Sequence, residues 1–205
     1  MPTQAALGWK LHTGWAVLVA VAGNPSEIQV LFRRRVELLP PDSSITRFVY
    51  HQASEMPPRQ AKELVNRGMK ASQESARLVV RYAVDELLSR GVTVNVCGVL
   101  CGSAAPPQDL AAILGSHPLI HAAEGALFQN AIVSACESRG LEVVLTRERE
   151  VWARASTTWD VTESELRQYV DQLRKFLGPP WSADHKASTA IALLALRSRK
   201  SAKSA

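Results

Sequence analysis

Cysteine is scarce in this sequence. Only Cys97, Cys101 and Cys136 occur among its 205 residues, and no two of them form a CxxC pair. An odd number of cysteines does not suit a framework of intrachain disulfides. We therefore expect reduced, buried thiols and a reducing compartment.

Long apolar runs are also missing. The run at residues 15–22 has eight residues, whereas a helix that spans a bilayer needs about 20. The first ten residues, MPTQAALGWK, lack the charged segment and long apolar stretch of a secretory signal. We expect no membrane partner and a cytoplasmic location.

Three common catalytic and nucleotide-binding motifs do not occur. The sequence contains no GxxxxGK[ST] loop, no GxGxxG fingerprint and no GxSxG elbow. These motifs mark P-loop NTPases, dinucleotide-binding domains and α/β-hydrolases respectively. The sequence therefore does not support any of these three classes.

The composition that is present is that of a globular protein. Hydrophobic residues make up 46% of the chain and charged residues 21%, which excludes a mostly disordered protein. A chain of this length fits one domain with a sizeable core. We place that domain at residues 5–196.

The positive charge is concentrated at the end of the chain. The net charge is +5, and four cations lie in the last nine residues, so the remainder carries about +1. We predict that residues 197–205 form a basic, flexible tail. The alternative is that this tail contacts nucleic acid.

The first part of the sequence is rich in strand patterns. Apolar or alternating runs predict strands at residues 15–21, 28–39 and 45–51, with a Gly-Asn-Pro-Ser turn after the first. Three leading strands that pair antiparallel are the simplest arrangement. Arginines at 33–35 on the second strand favour an exposed sheet edge over a DNA contact.

Helices and strands alternate in the rest of the chain. Apolar residues recur at helical spacing over residues 58–90 and 116–140, and capping signals begin further helices near residues 162 and 182. Buried strands are predicted at 92–100 and 141–145. The order β-β-β-α-β-α-β-α-α predicts an α/β fold, a mixed sheet with helices on both faces.

That order resembles the ribonuclease H-like superfamily, and most closely its RuvC-type resolvase branch. Residues 8–17 (GWKLHTGWAV) look like the first strand of the superfamily and the turn into its hairpin. Residues 181–196 (WSADHKASTAIALLAL) are similar to the final resolvase helix, in which an acidic residue precedes many small ones. The resemblance in element order covers nearly the whole chain and implies a nucleic-acid partner.

The resemblance also implies a carboxylate cluster, most of which this sequence lacks. Catalytic members carry an aspartate on the first strand, where this chain has Lys10 and His12. A second acid lies near the end of the fourth strand, where this chain has Cys101 and Gly102. Only Asp184 falls at a matching place, and two-metal hydrolysis needs several carboxylates to hold its cations.

A second group of polar residues lies on one predicted helix. His117, His121 and Glu124 are spaced i, i+4 and i+7, which places them along one helical face. Imidazoles with a carboxylate can bind zinc or manganese. The alternative is a polar stripe in which one histidine caps or packs.

The start of the last helix forms the other candidate site. If the resemblance holds, it lies beside the end of the first strand, which brings Asp184 and Lys186 toward Lys10 and His12. Lys10 could pair with Asp184 or contact a ligand phosphate, and His12 and Lys186 are further candidate ligand-binding residues. The alternative for Asp184 is a favourable interaction with the helix dipole.

Two functions therefore stay open. One is a diverged nucleic-acid-associated protein that hydrolyses phosphodiesters with magnesium or manganese, using Asp184 and Glu124 as catalytic residues and His117 and His121 as further metal ligands. The other is a non-catalytic binding or assembly module that keeps the fold without the acidic metal site. A homodimer is a further expectation.

Overall fold

The structure is a computed structural model that describes residues 3–39, 45–102 and 109–202. Residues 203–205 of the predicted tail lie outside this part of the chain. The strands, in chain order, are β1 (Thr3–His12), β2 (Trp15–Ala22), β3 (Gln29–Glu37), β4 (Val92–Cys101) and β5 (Glu142–Arg147). The helices are α1 (Val49–Ser54), α2 (Pro58–Ser89), α3 (Leu110–Leu114), α4 (His117–Ser138), α5 (Val151–Trp159), α6 (Glu163–Gln172), α7 (Arg174–Leu177) and α8 (Ala183–Ala202).

The five strands form one mixed sheet in the order β3-β2-β1-β4-β5. β1 and β3 run antiparallel to β2, whereas β4 runs parallel to both β1 and β5. β1, β3 and β4 therefore end at the same edge of the sheet. β3 is an outer strand, as its three arginines predicted.

Both faces of the sheet are covered, which confirms the predicted architecture. Alternate residues of β1 divide between two cores: Leu7 and Trp9 pack with α1, α2, α3 and α4, whereas Ala6 packs with α5, α6 and α8. This division follows from the two-residue period of a strand. No helix in the described part of the chain is long and apolar enough to cross a membrane.

The prediction of a strand at residues 45–51 is wrong. Residues 49–54 form α1. The three leading strands are instead β1, β2 and β3, and the alternation pattern missed β1. Val49 and Ala53, one helical turn apart, are both fully buried. Their burial, with Glu124 accepting hydrogen bonds from the first turn of α1, favours a helix over a strand here.

The last helix packs unusually close to the two central strands. Gly8 of β1 and Gly98 of β4 are register partners, and a Cβ on Gly8 would lie 1.9 Å from the carbonyl oxygen of Ser188. A Cβ on Gly98 would lie 2.4 Å from the carbonyl oxygen of Ile191. These two glycines therefore allow the backbone of α8 to pack directly against the sheet. This close packing sets the position of the first turn of α8.

Candidate functional site

A cleft of about 1380 Å³ lies at the edge where β1 and β4 end. Lys10, His12 and Cys101 line it from the sheet, and His121 lines it from α4. In α/β sheets, ligands commonly bind beyond the carboxyl ends of the strands. Three of the residues selected from the sequence, Lys10, His12 and His121, thus share one cleft.

Asp184 pairs with His12 beside the end of β1. His12 Nε2 lies 3.1 Å from Asp184 Oδ2, and the two side chains are 31% and 29% exposed. The His12 ring stacks on Trp15 with its centroid 3.9 Å away, and the Arg35 guanidinium lies over the Trp15 ring. This stack fixes the orientation of the His12 ring in which its Nε2 contacts Asp184.

Lys10 pairs with Glu148, a residue of the short 3-10 helix after β5. The Lys10 side chain is only 15% exposed, whereas that of Glu148 is 55% exposed. The alternative of a Lys10–Asp184 pair is therefore wrong, because each residue has a different partner. The cation of Lys10 nevertheless lies at the end of the first strand, as the sequence predicted.

Lys186 and His185 are not among the residues that line the cleft. Lys186 Nζ lies 2.5 Å from Asp171 Oδ1 on α6. His185 is buried, and its Nδ1 accepts a hydrogen bond from the backbone N–H of Ser182. Burial, with a smaller contribution from the nearby Arg33 cation, lowers the pKa of His185. Lys186 thus has an ion-pair partner on α6, and its role in ligand binding stays a prediction.

Glu124 is a buried carboxylate that organises the start of α1. It is 2% exposed, and its Oε1 accepts hydrogen bonds from the backbone N–H groups of Tyr50 at 2.9 Å and His51 at 3.2 Å. His51 Nδ1 lies 3.2 Å from the same oxygen. Burial chiefly, and the Glu124 carboxylate in addition, raise the pKa of Tyr50. Glu124 therefore contacts the backbone of α1 inside the protein and is not accessible to a substrate.

Three histidines gather beside Glu124. His51 of α1 joins His117 and His121 of α4, and one ring nitrogen from each lies within 4.8 Å of the others. The Nε2 atoms of His117 and His121 are 3.0 Å apart, and the His51 ring packs edge-on against both rings. His117 and His121 are exposed, whereas His51 is half-buried.

The four predicted metal ligands thus belong to two separate places. Asp184 lies on α8, in the layer that covers one face of the sheet, whereas Glu124, His117 and His121 lie on α4, which covers the other face. Within the described residues, the group with metal-binding geometry contains His51, His117 and His121 but neither carboxylate. The predicted set therefore does not assemble as one site.

Sequence reasoning missed two of the residues at these places. His51 lay on a predicted strand, and nothing in the local pattern connects it with a helix that begins more than sixty positions later. Glu148 belongs to an Arg-Glu-Arg-Glu stretch that is typical of a solvated strand end. Only the tertiary fold brings these two side chains to Glu124 and Lys10.

The strand order, the mixed sheet and the helices on both faces define a ribonuclease H-like fold. Two solved structures share it over nearly their whole length. RuvC of Thermus thermophilus matches with a TM-score of 0.54 and 14% identity, over 97% of this chain and 96% of that one. T. thermophilus RuvC in complex with a Holliday junction substrate matches with a TM-score of 0.51 and 12% identity, over the same shares.

These likenesses show the fold, since the identities are low. No family model matches the chain, and no curated protein matches it.

The end of β1 does not suit the two-metal carboxylate site that the resemblance implies. Two cations need several carboxylates that are free to bind them. Here Asp184 is paired with His12 and Glu148 with Lys10, and the β4 end contributes Cys101. The Lys10 ammonium would also repel a divalent cation at this position.

Proposed function

We propose that this protein is a non-catalytic, nucleic-acid-binding module with a ribonuclease H-like fold, and that the cleft at the ends of β1 and β4 receives the nucleic acid. The observation that carries the proposal is the pair of contacts Lys10–Glu148 and His12–Asp184 at the end of β1, where Lys10, His12 and Glu148 line the cleft. They place a lysine and a histidine, each paired with a carboxylate, where several free carboxylates would be needed for hydrolysis.

The walls of the cleft offer groups that suit a phosphate backbone. Lys62 of α2 and Arg147 at the end of β5 are exposed cations that line the cleft. Asn66, Gln73 and Asn130 add amide donors and acceptors. Side chains of this kind are among those that commonly contact phosphates and sugars.

The comparison supports the same class of partner. One of the similar structures is T. thermophilus RuvC bound to a Holliday junction substrate. The cleft volume of about 1380 Å³ is larger than most small-molecule pockets. Both points favour a polymer over a metabolite.

Fluorescence anisotropy tests the binding. Labelled four-way-junction DNA, duplex DNA, single-stranded DNA and RNA are titrated with the protein at about 50 and 200 mM salt, a range over which phosphate contacts weaken strongly. The variant Lys62→Glu with Arg147→Glu should bind at least tenfold more weakly at the lower salt. The slope of log K against log salt should fall by about 1 for each lost phosphate contact.

Lys175→Glu is the matched control, because Lys175 is an exposed lysine on α7 outside the cleft. Its affinity should equal that of the wild type. Absence of binding to all four nucleic acids at low salt, or equal losses in the control and the double variant, would overturn the proposal.

Cleavage assays test the non-catalytic part separately. The same four substrates are incubated with magnesium or manganese, and we expect all of them to stay intact. Cleavage that requires the metal and disappears in Asp184→Asn would instead establish a diverged nuclease. Binding without cleavage supports the module.

A further inference from the structure

The three histidines at the start of α1 and α4 have the geometry of a metal site. In a tetrahedral zinc site with Zn–N bonds of about 2.0–2.1 Å, neighbouring ligand nitrogens lie about 3.3–3.4 Å apart. The Nε2 atoms of His117 and His121 are 3.0 Å apart, and the His51 nitrogen lies within 4.8 Å of both. The three nitrogens therefore lie near the spacing that ligands of one zinc ion have.

Glu124 supplies the support that such a histidine ligand usually has. Histidines that bind metal commonly use their second ring nitrogen to donate to a carboxylate, which fixes the tautomer and the ring orientation. His51 Nδ1 lies 3.2 Å from Glu124 Oε1, which leaves its Nε2 for the cluster. Helix spacing alone places His117 and His121 one turn apart on α4, on the same side.

The buried charge of Glu124 is a separate observation that points to a cation. Its Oε1 has three partners, but its Oε2 is buried with no hydrogen-bond partner among the described residues. A buried carboxylate is costly unless a positive group compensates it. A metal ion bound to the far side of the His51 ring would provide that compensation.

We propose that His51, His117 and His121 bind one transition-metal ion, and that Glu124 positions His51 for it. Zinc is the best-suited ion, because imidazole nitrogens are among its preferred ligands and it accepts tetrahedral sites. Since His117 and His121 are exposed, a fourth position stays open to water. His121 also lines the cleft, so the ion would lie at its rim. This proposal does not depend on the proposed function.

Isothermal titration of the untagged full chain with zinc chloride tests the site. One zinc ion should bind per chain. His117→Ala and His121→Ala should each weaken binding at least a hundredfold, and both residues are exposed, so folding should be preserved. X-ray absorption of the loaded protein should show a nitrogen shell near about 2.0 Å that contains three imidazoles.

The two remaining histidines of the chain serve as controls. His12→Ala and His185→Ala should leave the zinc affinity unchanged. Absence of stoichiometric zinc binding to the wild type, or wild-type affinity in the His117→Ala variant, overturns the proposal. Equal losses in the control variants also overturn it, because they would indicate dispersed binding.

Glu124→Gln tests the positioning role. It keeps an acceptor for His51 and the α1 backbone but removes the charge, so we expect zinc affinity to fall by about 10–100-fold with three imidazoles still bound in the absorption spectrum. Unchanged affinity in a folded Glu124→Gln protein would remove Glu124 from the proposal. If the Glu124→Gln protein does not fold, His51→Ala is the alternative test. This variant should lose one imidazole from the absorption spectrum, and an unchanged zinc affinity would show that His51 is not a ligand.

Discussion

The molecule contains two histidine–carboxylate pairs at the same end of the sheet, and they differ in depth. His12 and Asp184 are each about one-third exposed and meet at 3.1 Å. His51 and Glu124 meet at 3.2 Å, but the Glu124 side chain is only 3% exposed. The first pair lies with α8 and the second with α1 and α4.

The difference in burial indicates different roles for the two carboxylates, Glu124 and Asp184. Glu124 accepts hydrogen bonds from two backbone N–H groups that begin α1, so it stabilises the start of that helix. Asp184 contacts one side chain near solvent, where an ion pair contributes little to stability. The carboxylate at the place that matches the resolvase pattern is thus the less constrained of the two.

The largest expected effect comes from removing the buried carboxylate. Glu124→Ala leaves the backbone donors of Tyr50 and His51 without an acceptor, and each such donor costs about 1–3 kcal/mol. Asp184→Ala should cost less than about 1 kcal/mol. Urea unfolding of both variants measures the two free energies. Equal losses would show that the two pairs do not differ in the way their burial indicates.

A second test changes the position of α8 and hence of Asp184. Gly8→Ala places a methyl group against the carbonyl oxygen of Ser188, and overpacking of this kind costs about 1–3 kcal/mol. Gly125→Ala is the control, because its Cβ would meet nothing within 4 Å and a helical Gly-to-Ala change gains up to about 1 kcal/mol. Thermal unfolding should give shifts of opposite sign.

The smallest expected effect is a pH dependence of stability that comes from His185, the neighbour of Asp184 in the sequence. The pKa of His185 is lowered in the folded protein, so the unfolded chain binds more protons as the pH falls through the ordinary histidine value of about 6.5. Stability should therefore decrease from pH 7 toward the lowered folded pKa. His185→Gln should reduce that decrease in urea unfolding measured at several pH values. An equally steep decrease in the variant would assign it to other groups.

The sequence predicted the long elements well and the short ones poorly. The helix at residues 58–90 and the strand at 92–100 have many apolar residues in one period, and the structure confirms both. α1 has six residues, too few for a helical period to stand out from strand alternation. α5 was not predicted, since its residues 151–159 mix polar and apolar side chains.

The sequence predicted which site residues lie together only where those residues are close to one another in the chain. His117, His121 and Glu124 lie on one helix, so their shared face follows from spacing. Their separation from Asp184 does not, because the sheet lies between α4 and α8 and sequence spacing cannot reveal it. The His12–Asp184 contact joins residues 172 positions apart, and only the resemblance brought them near.

The close contact between α8 and the first strand has a consequence for biosynthesis. Ala6, Val17 and Val19 of the first hairpin are buried under residues of α8 such as Ile191 and Leu193. On the ribosome, which adds residues from the amino end at about 5–20 per second, this apolar face of the hairpin is made long before the residues of α8 that cover it. In the nascent chain this apolar face therefore lacks its native cover until residues 183–196 have emerged.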